Sequence, residues 1–365
     1  MSSVSPVPTA RPTPVQTSYR PADIRLLIAG AAAPQVSLRE KETRIAAGES
    51  YGQFLSAEGP PAEWQTQTYH RALTRNGPAI ASALLGLAAQ LETRAQGGPV
   101  TLISLARAGF PVGALLHRLL GRAGVDSAHF GLSIVRGVGL DLAALDTVLA
   151  GDTVLAGRPA SSVVFVDGWT GKGSILSTLR LSLKGHAVRP VLAALYDPAG
   201  VADLAGSHDD LLLPHAALNA TVSGLISRTF LTEHGHAAEY LSDLAGYDLS
   251  TAYLDALDEL CTSASPLPVP TTRPQHPADL ALEIAREYSC HDPHRAKPGI
   301  GEATRVFLRR RPAALVVRAS TPDTAHLETL AHATHVPVHT EPALPYAAMS
   351  LIAGPDASPG DARDL

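Results

Sequence analysis

The run VVFVDGWTGKGSI, Val163 to Ile175, carries four apolar residues into Asp167 and then turns small and polar through Thr170, Gly171, Lys172, Gly173 and Ser174. Those residue types suit the holding of an anion. Glycines let main-chain N–H groups approach a phosphate, and a helix opening just after them adds the positive end of its dipole. Thr170 and Ser174 bring hydroxyl donors, and Lys172 brings a charge. The plainer reading is a strand-to-helix turn in which glycine only permits unusual backbone angles. Two familiar phosphate motifs do not fit. Gly173 follows Gly171-Lys172 where a Walker A loop needs Ser or Thr, and Leu176 stands where the dinucleotide fingerprint needs its third glycine. A second loop, SLARAGFPVG from Ser104 to Gly113, also ends an apolar run and opens a helical pattern. Its Arg107 offers a guanidinium suited to a bidentate grip on phosphate oxygens. Two such loops on one sheet seldom coincide by chance.

The elements that must carry these loops are legible in the pattern. Apolar runs at PVTLISLA, HFGLSIV, SSVVFVD and PVLAALYD alternate with leucine-rich helical segments at FPVGALLHRLLGRAG, LDLAALDTVLAG and SILSTLRLSLKG. Strands without polar alternation, separated by amphipathic helices, imply a parallel sheet covered on both faces. Right-handed crossovers make such a sheet doubly wound, with ligands beyond the carboxyl ends of its strands.

Composition sets the outer limits. The chain has 365 residues and a formal net charge of -5, enough length for two domains and too little positive charge to coat nucleic acid along its whole surface. Two cysteines, Cys261 and Cys290, imply no disulfide framework. The absence of a secretory pattern and of a long apolar run points to a cytoplasmic protein without a membrane partner. Residues 1–20, rich in Pro, Ser and Thr, read as disordered, as does the tail 354–365. The proline-rich stretch 262–277 reads as a linker between a large domain at 21–261 and a small one at 278–353.

In the small domain Gly299 and Gly301 precede a helix, and AALVVRAS, HLETLAHAT and VPVHT follow as strand, helix and strand. That order gives a three-layer α/β/α sandwich. Arg295, Lys297, Arg305, Arg309, Arg310, Arg311 and Arg318 stand there against Glu302 alone over residues 295–318, a basic patch suited to phosphate contact. The alternative is a solvated helix end whose arginines complement the dipole. In LNATVSGLISRTF, Asn219 and Ser223 punctuate an apolar stretch and are candidates for lining a base pocket. Cys290, His291 and His294 lie too close together, with no fourth group in view, to read as a metal site.

An apolar strand, an acid at its end and a Thr/Gly/Ser loop opening a helix together resemble the ribose-5-phosphate loop of type I phosphoribosyltransferases. The resemblance implies that Asp167 holds ribose hydroxyls and that Thr170 to Ser174 hold the 5′-phosphate. It also implies that the amides around Ala106, Ala108 and Gly109, with Arg107, carry pyrophosphate, and that Arg136 lies on a closing flap. Gly168 stands where a second acid is usual, and the loop is shorter than the common pattern.

Over about residues 18–353, LARAGFPVGALLHR, HFGLSIVRGVGLD, FVDGWTGKGSI, LNATVSGLISRT and KPGIGEATRVFLRR resemble a family encoded in bacterial tellurium-resistance, stress-response operons. Its members join a divergent phosphoribosyltransferase domain to a C-terminal pelota-like RNA-binding domain, and the family is also labelled cysteine protease StiP. The fold implied is a type I phosphoribosyltransferase-like doubly wound parallel sheet plus a small pelota-like α/β/α domain. The activity implied is transfer from PRPP, or a related phosphoribosyl donor, to a base, with Mg²⁺ held on substrate oxygens. The alternative is a nucleotide sensor without turnover, coupled to RNA through the second domain. RNA and a second copy of the chain are the other partners left open. For RNA, the resemblance assigns Gly299, Glu302 and Arg305 to backbone and base contact. It assigns a cysteine to the place where this chain has Ala217, which leaves the protease reading the weakest of the three.

Overall fold

The computed structural model describes residues 13–37, 40, 43–44, 52–135, 137–151 and 156–353. Its frame is a six-stranded sheet of β1 (Arg25–Leu26), β2 (Val100–Leu105), β3 (Ser127–Leu132), β4 (Val163–Trp169), β5 (Leu192–Tyr196) and β6 (Leu204–Ser207). The strands run parallel in the order β1-β3-β2-β4-β5-β6. The chain moves outward from β2 to β3 and then returns to place β4 on the other side of β2. That reversal makes the carboxyl ends of β2 and β4 neighbours, the crevice where open α/β sheets bind ligands.

The side-chain period of two sorts each strand between two cores. Leu102, Val164, Val166 and Ala193 face one way, toward α1 (Glu63–Ala95), α2 (Gly109–Arg122) and α5 (Ser250–Cys261). Ile103, Phe165, Leu192 and Ala194 face the other, toward α3 (Leu142–Ala150) and α4 (Ser174–Ser182). Both faces are therefore dry, which is why β2 shows six buried residues in a row. The doubly wound sheet expected from the alternation is what forms.

The second sheet takes the order β7-β10-β8-β9, from β7 (Ala296–Pro298), β8 (Pro312–Val317), β9 (Val338–Thr340) and β10 (Ala348–Ile352). Its helix α6 (Pro277–Glu287) covers one face, while α7 (Ile300–Arg309) and α8 (Ala325–Ala333) cover the other. The expected α/β/α sandwich is present. Its central strand β10 did not show in the sequence pattern; it pairs antiparallel with both β7 and β8. The inner face is not sealed by its own helices: Ile300 and Ala303 join Trp169, Leu212 and Ala216 of the first domain in one continuous core.

Two expected loose segments are pinned. Within the stretch 1–20, Tyr19 is buried and its hydroxyl donates to the Val222 carbonyl at 3.1 Å, while Arg20 pairs with Asp255 at 2.8 Å. In the proline-rich connection, the Leu267 amide donates to the Ser82 carbonyl of α1 at 2.9 Å. A proline-rich chain lacks internal hydrogen bonds, but it can lie in extended form along a helix that supplies acceptors. Residues 1–12 and 354–365 lie outside the described residues.

Candidate anion-binding cleft

A cleft of about 220 Å³ opens at the reversal of strand order. One wall is the end of β2 with Ala106, Arg107 and Ala108; the next is Asp167, Trp169 and the 170–174 loop. The third wall comes from the C-terminal domain through Lys297, Pro298, Glu302 and Arg305. The two loops singled out in the sequence thus share one space. Their approach is close: a Cβ on Gly109 would stand 2.2 Å from the Val166 carbonyl oxygen, so only glycine fits there.

The loop forms its cradle with backbone. Gly173 sits at φ 79° as the residue before α4 and supplies no side-chain cap. The first N–H groups of a helix have no partner within it, so this end of α4 faces the cleft as an unfilled donor set. The side chains expected to help are engaged elsewhere. The Thr170 hydroxyl donates to Asp197 at 2.6 Å. Lys172 Nζ donates to the carbonyls of Pro293 and Ala296, the latter at 2.8 Å, and so ties the loop to the C-terminal domain. Ser174 is exposed at the start of α4.

Asp167 accepts the Gly168 amide at 2.8 Å. Burial pushes its carboxyl up to about 7, against the lowering effects of that amide and of Arg305. A second acid at position 168 would be crowded: a Cβ there would stand 3.0 Å from the Ala108 carbonyl oxygen and 3.1 Å from His215 Nε2.

Arg107 lines the cleft, but its guanidinium is turned to protein partners. Nη1 donates to Glu58 Oε2 at 3.0 Å and to the Ile226 carbonyl at 2.5 Å. Nη2 stands 2.8 Å from Glu58 Oε1 as an ion pair whose angle falls outside hydrogen-bond geometry. The Ala106–Arg107 peptide is cis. A pyrophosphate grip by Arg107 would require Glu58 to leave, a partner the sequence gave no reason to suspect.

The remaining candidates scatter. Asn219 and Ser223 do not line the cleft; the Asn219 side chain accepts from Arg309 Nε at 3.1 Å, and Ser223 is buried. Arg136 lies outside the described residues. Gly299 stands behind the cleft wall, 3.9 Å from the Thr170 carbonyl as measured from a Cβ placed on it. Glu302 and Arg305, which the resemblance assigned to RNA, line the cleft. Arg305 lies over the Trp169 ring at 4.3 Å. Burial alone would raise the Glu302 carboxyl, but Arg305, Lys297 and Arg309, with the Trp169 indole, hold it below its ordinary value. Arg310 and Arg311 follow outside the cleft. Sequence reasoning missed Trp169, two residues beyond Asp167 in the opening motif, and Asp210, which no pattern marked.

Thiol chemistry finds no setting here. Cys261 is buried at the end of α5, with its sulfur 3.9 Å from the Ala81 carbonyl, and burial pushes its thiol up to about 11. Burial also raises the Cys290 thiol. A nucleophilic cysteine needs the opposite shift and a base within reach. Neither cysteine lines the cleft. Among the described residues, no three His, Cys, Asp or Glu side chains converge on a metal position, and no helix is long and apolar enough to cross a membrane.

Known proteins place this chain among relatives. Residues 17–258 match the family described as "Tellurite-like stress resistance cysteine protease StiP", and residues 275–354 match the "PELOTA RNA binding domain". A curated relative from Acinetobacter baylyi, named "Cysteine protease StiP", is 32% identical over 92% of this chain and 93% of its own length. Among solved structures, a hypoxanthine phosphoribosyltransferase of Trypanosoma cruzi is 16% identical over 35% of this chain and 75% of that one, with a TM-score of 0.27. The same enzyme in complex with the product IMP gives 16% identity over 35% of this chain and 74% of that one, with a TM-score of 0.27. A likeness at such scores carries no argument about activity. The expectation of a phosphoribosyltransferase is therefore corrected, because the family and the curated relative bear the name of a stress-resistance cysteine protease, which is the name of a different enzyme. The chain belongs to the tellurite-like stress resistance StiP family, with a pelota-type domain at its carboxyl end.

Proposed function

We propose that this chain binds a phosphate-bearing small ligand in the cleft between its two domains, and RNA through the C-terminal domain, as a stress-response protein. The observation that carries the first part is the uncapped start of α4 facing a cleft of about 220 Å³ whose opposite wall holds Lys297 and Arg305. Backbone donors, a helix dipole, Lys297 and Arg305 favour an anion there, while Glu302, paired with Arg305 at 3.3 Å, neutralises part of that charge. Protease chemistry by Cys261 or Cys290 is not part of the proposal, since burial shifts both thiols away from the reactive thiolate. PRPP is one ligand of the right chemistry. Mg²⁺, if it takes part, would arrive on the ligand's own oxygens, as suits a hard ion that keeps its oxygen shell.

Sulfate, whose charge is constant between pH 6 and pH 8 to a good approximation (about -2 throughout), tests the cleft. Asp167 is protonated below about 7 and negative above it. Sulfate affinity, measured by calorimetry, is therefore expected to fall by up to about tenfold per pH unit above pH 7. Asp167→Asn is expected to flatten that profile. Absence of sulfate binding rejects the site, and a flat profile for the unaltered chain removes Asp167 from it. Titration with PRPP and with nucleotides, with and without Mg²⁺, then ranks the ligands.

The RNA part rests on the match over residues 275–354 and on Arg310, Arg311 and Arg318. Changing these three arginines to serine is expected to weaken binding uniformly across RNA sequences and to lower the salt slope by about 1 per lost phosphate contact. Unchanged affinity and slope would make the patch ordinary surface.

A further inference from the structure

The elements that pack the C-terminal domain onto the first domain supply one carboxylate and one aromatic ring to the same helix. Asp210, in the loop after β6, places both carboxylate oxygens 3.0 Å from the Ile300 amide at the start of α7. Oδ2 also accepts the Ala347 amide at 2.7 Å. One turn along α7, Arg305 lies over the Trp169 ring at 4.3 Å. Tyr346 donates its hydroxyl to the Gly171 carbonyl at 2.8 Å, and Arg309 reaches Asn219. A carboxylate on a helix-start amide and a neighbouring loop amide, with a flat ring against a guanidinium, occupies the places that a nucleotide's phosphate and base would take.

We propose that the first domain masks a nucleotide-binding face of the C-terminal domain, with Asp210 in the place of an RNA phosphate and Trp169 in the place of a base. This rests on the RNA-binding reading above and adds that the closed arrangement competes with RNA. The masked face comprises the Ile300 and Ala347 amides, Glu302 and Arg305. The half-buried Arg310 and Arg311 and the exposed Arg318 would make first contact, and RNA would gain the masked face only as the domains part.

Asp210→Ala and Asp210→Asn in the full chain test the proposal. A fluorescein-labelled RNA stem-loop and a single strand of equal length serve as probes by anisotropy, while hydrogen exchange follows the peptides carrying Ile300 and Ala347. Removing a charged acceptor from two amides is expected to speed that exchange and to raise RNA affinity about tenfold. Asp210→Asn, which keeps one acceptor without the charge, is expected to fall between the two and decides the matter alone if the alanine variant does not fold. Faster exchange with RNA affinity equal to that of an RNA-binding unaltered chain overturns the masking and leaves the RNA reading intact. Unchanged exchange overturns it as well, because Asp210 then holds nothing closed. Failure of the unaltered chain and of both variants to bind RNA ends the RNA reading, and the masking with it.

Discussion

Arg107→Ala is expected to lower the stability of the protein by about 3–5 kcal/mol, the range for removing one partner of a buried ion pair. The side chains of Arg107 and Glu58 are 5% and 16% exposed, and the pair closes over two oxygens. Burial alone would raise the Glu58 carboxyl, but Arg107, then Arg309 and the Ala220 amide, hold it below its ordinary value. Alanine at 107 leaves that carboxylate buried with its main partner gone and strips the Ile226 carbonyl of a donor. The measurement is the urea midpoint near neutral pH. Glu58→Gln in the same chain should recover a large part of the loss, since the uncompensated charge goes with it. No recovery would mean that lost packing, rather than the orphaned charge, sets the cost. Because the Glu58 carboxyl is depressed, the stabilisation is present above its ordinary value and lost as pH falls through the depressed one.

Gly173→Val should abolish most anion binding while leaving the sheet intact. Gly173 holds φ 79°, where a Cβ clashes with the chain's own carbonyl, at roughly 1–2 kcal/mol for an L residue. A Cβ would also meet Val201 Cγ1 at 3.2 Å, so the added side chain has no easy way out. If the loop relaxes by turning its amides away, sulfate affinity falls by about 10- to 100-fold. Gly173→Ala, smaller and unbranched, should lose less. A valine variant that binds sulfate as the unaltered chain does would show that the start of α4 is not the donor set.

The two variants probe different things. Arg107 looked in sequence like a ligand group, and its expected phenotype is structural because Glu58, 49 positions earlier, meets it in space. Gly173 stood in the sequence within the loop expected to hold a phosphate, and its expected phenotype is loss of binding. The residue types announced a charge and a flexible joint; they did not announce where the charge would be neutralised. The same holds for Thr170 and Lys172, whose donors found Asp197 and the carbonyls of Pro293 and Ala296. What remains for a ligand at the loop is largely main chain, which sequence reading undervalues because every residue has one.

Local order was legible throughout the sheet. The apolar runs at 100–105, 163–169 and 192–196 formed strands and the leucine patterns between them formed helices, since hydrophobic period and strand burial are properties of a few consecutive residues. The pairing of Asp167 with a glycine loop at a strand end was equally local, and it placed the cleft at the right end of the sheet. Strand β10 escaped because AMSLI takes its meaning from pairing with β7 and β8 on either side.

The sequence by itself determined the doubly wound sheet, the α/β/α second domain and the two loops that meet at the reversal of strand order. Only the tertiary structure decided that Glu302 and Arg305 face Trp169 and the cleft, that Asp210 caps α7 from another domain, and that Glu58 neutralises Arg107. Period and propensity act over neighbouring residues, whereas ion pairs and helix caps form between groups that only folding brings together, and nothing in either partner's own segment encodes the other.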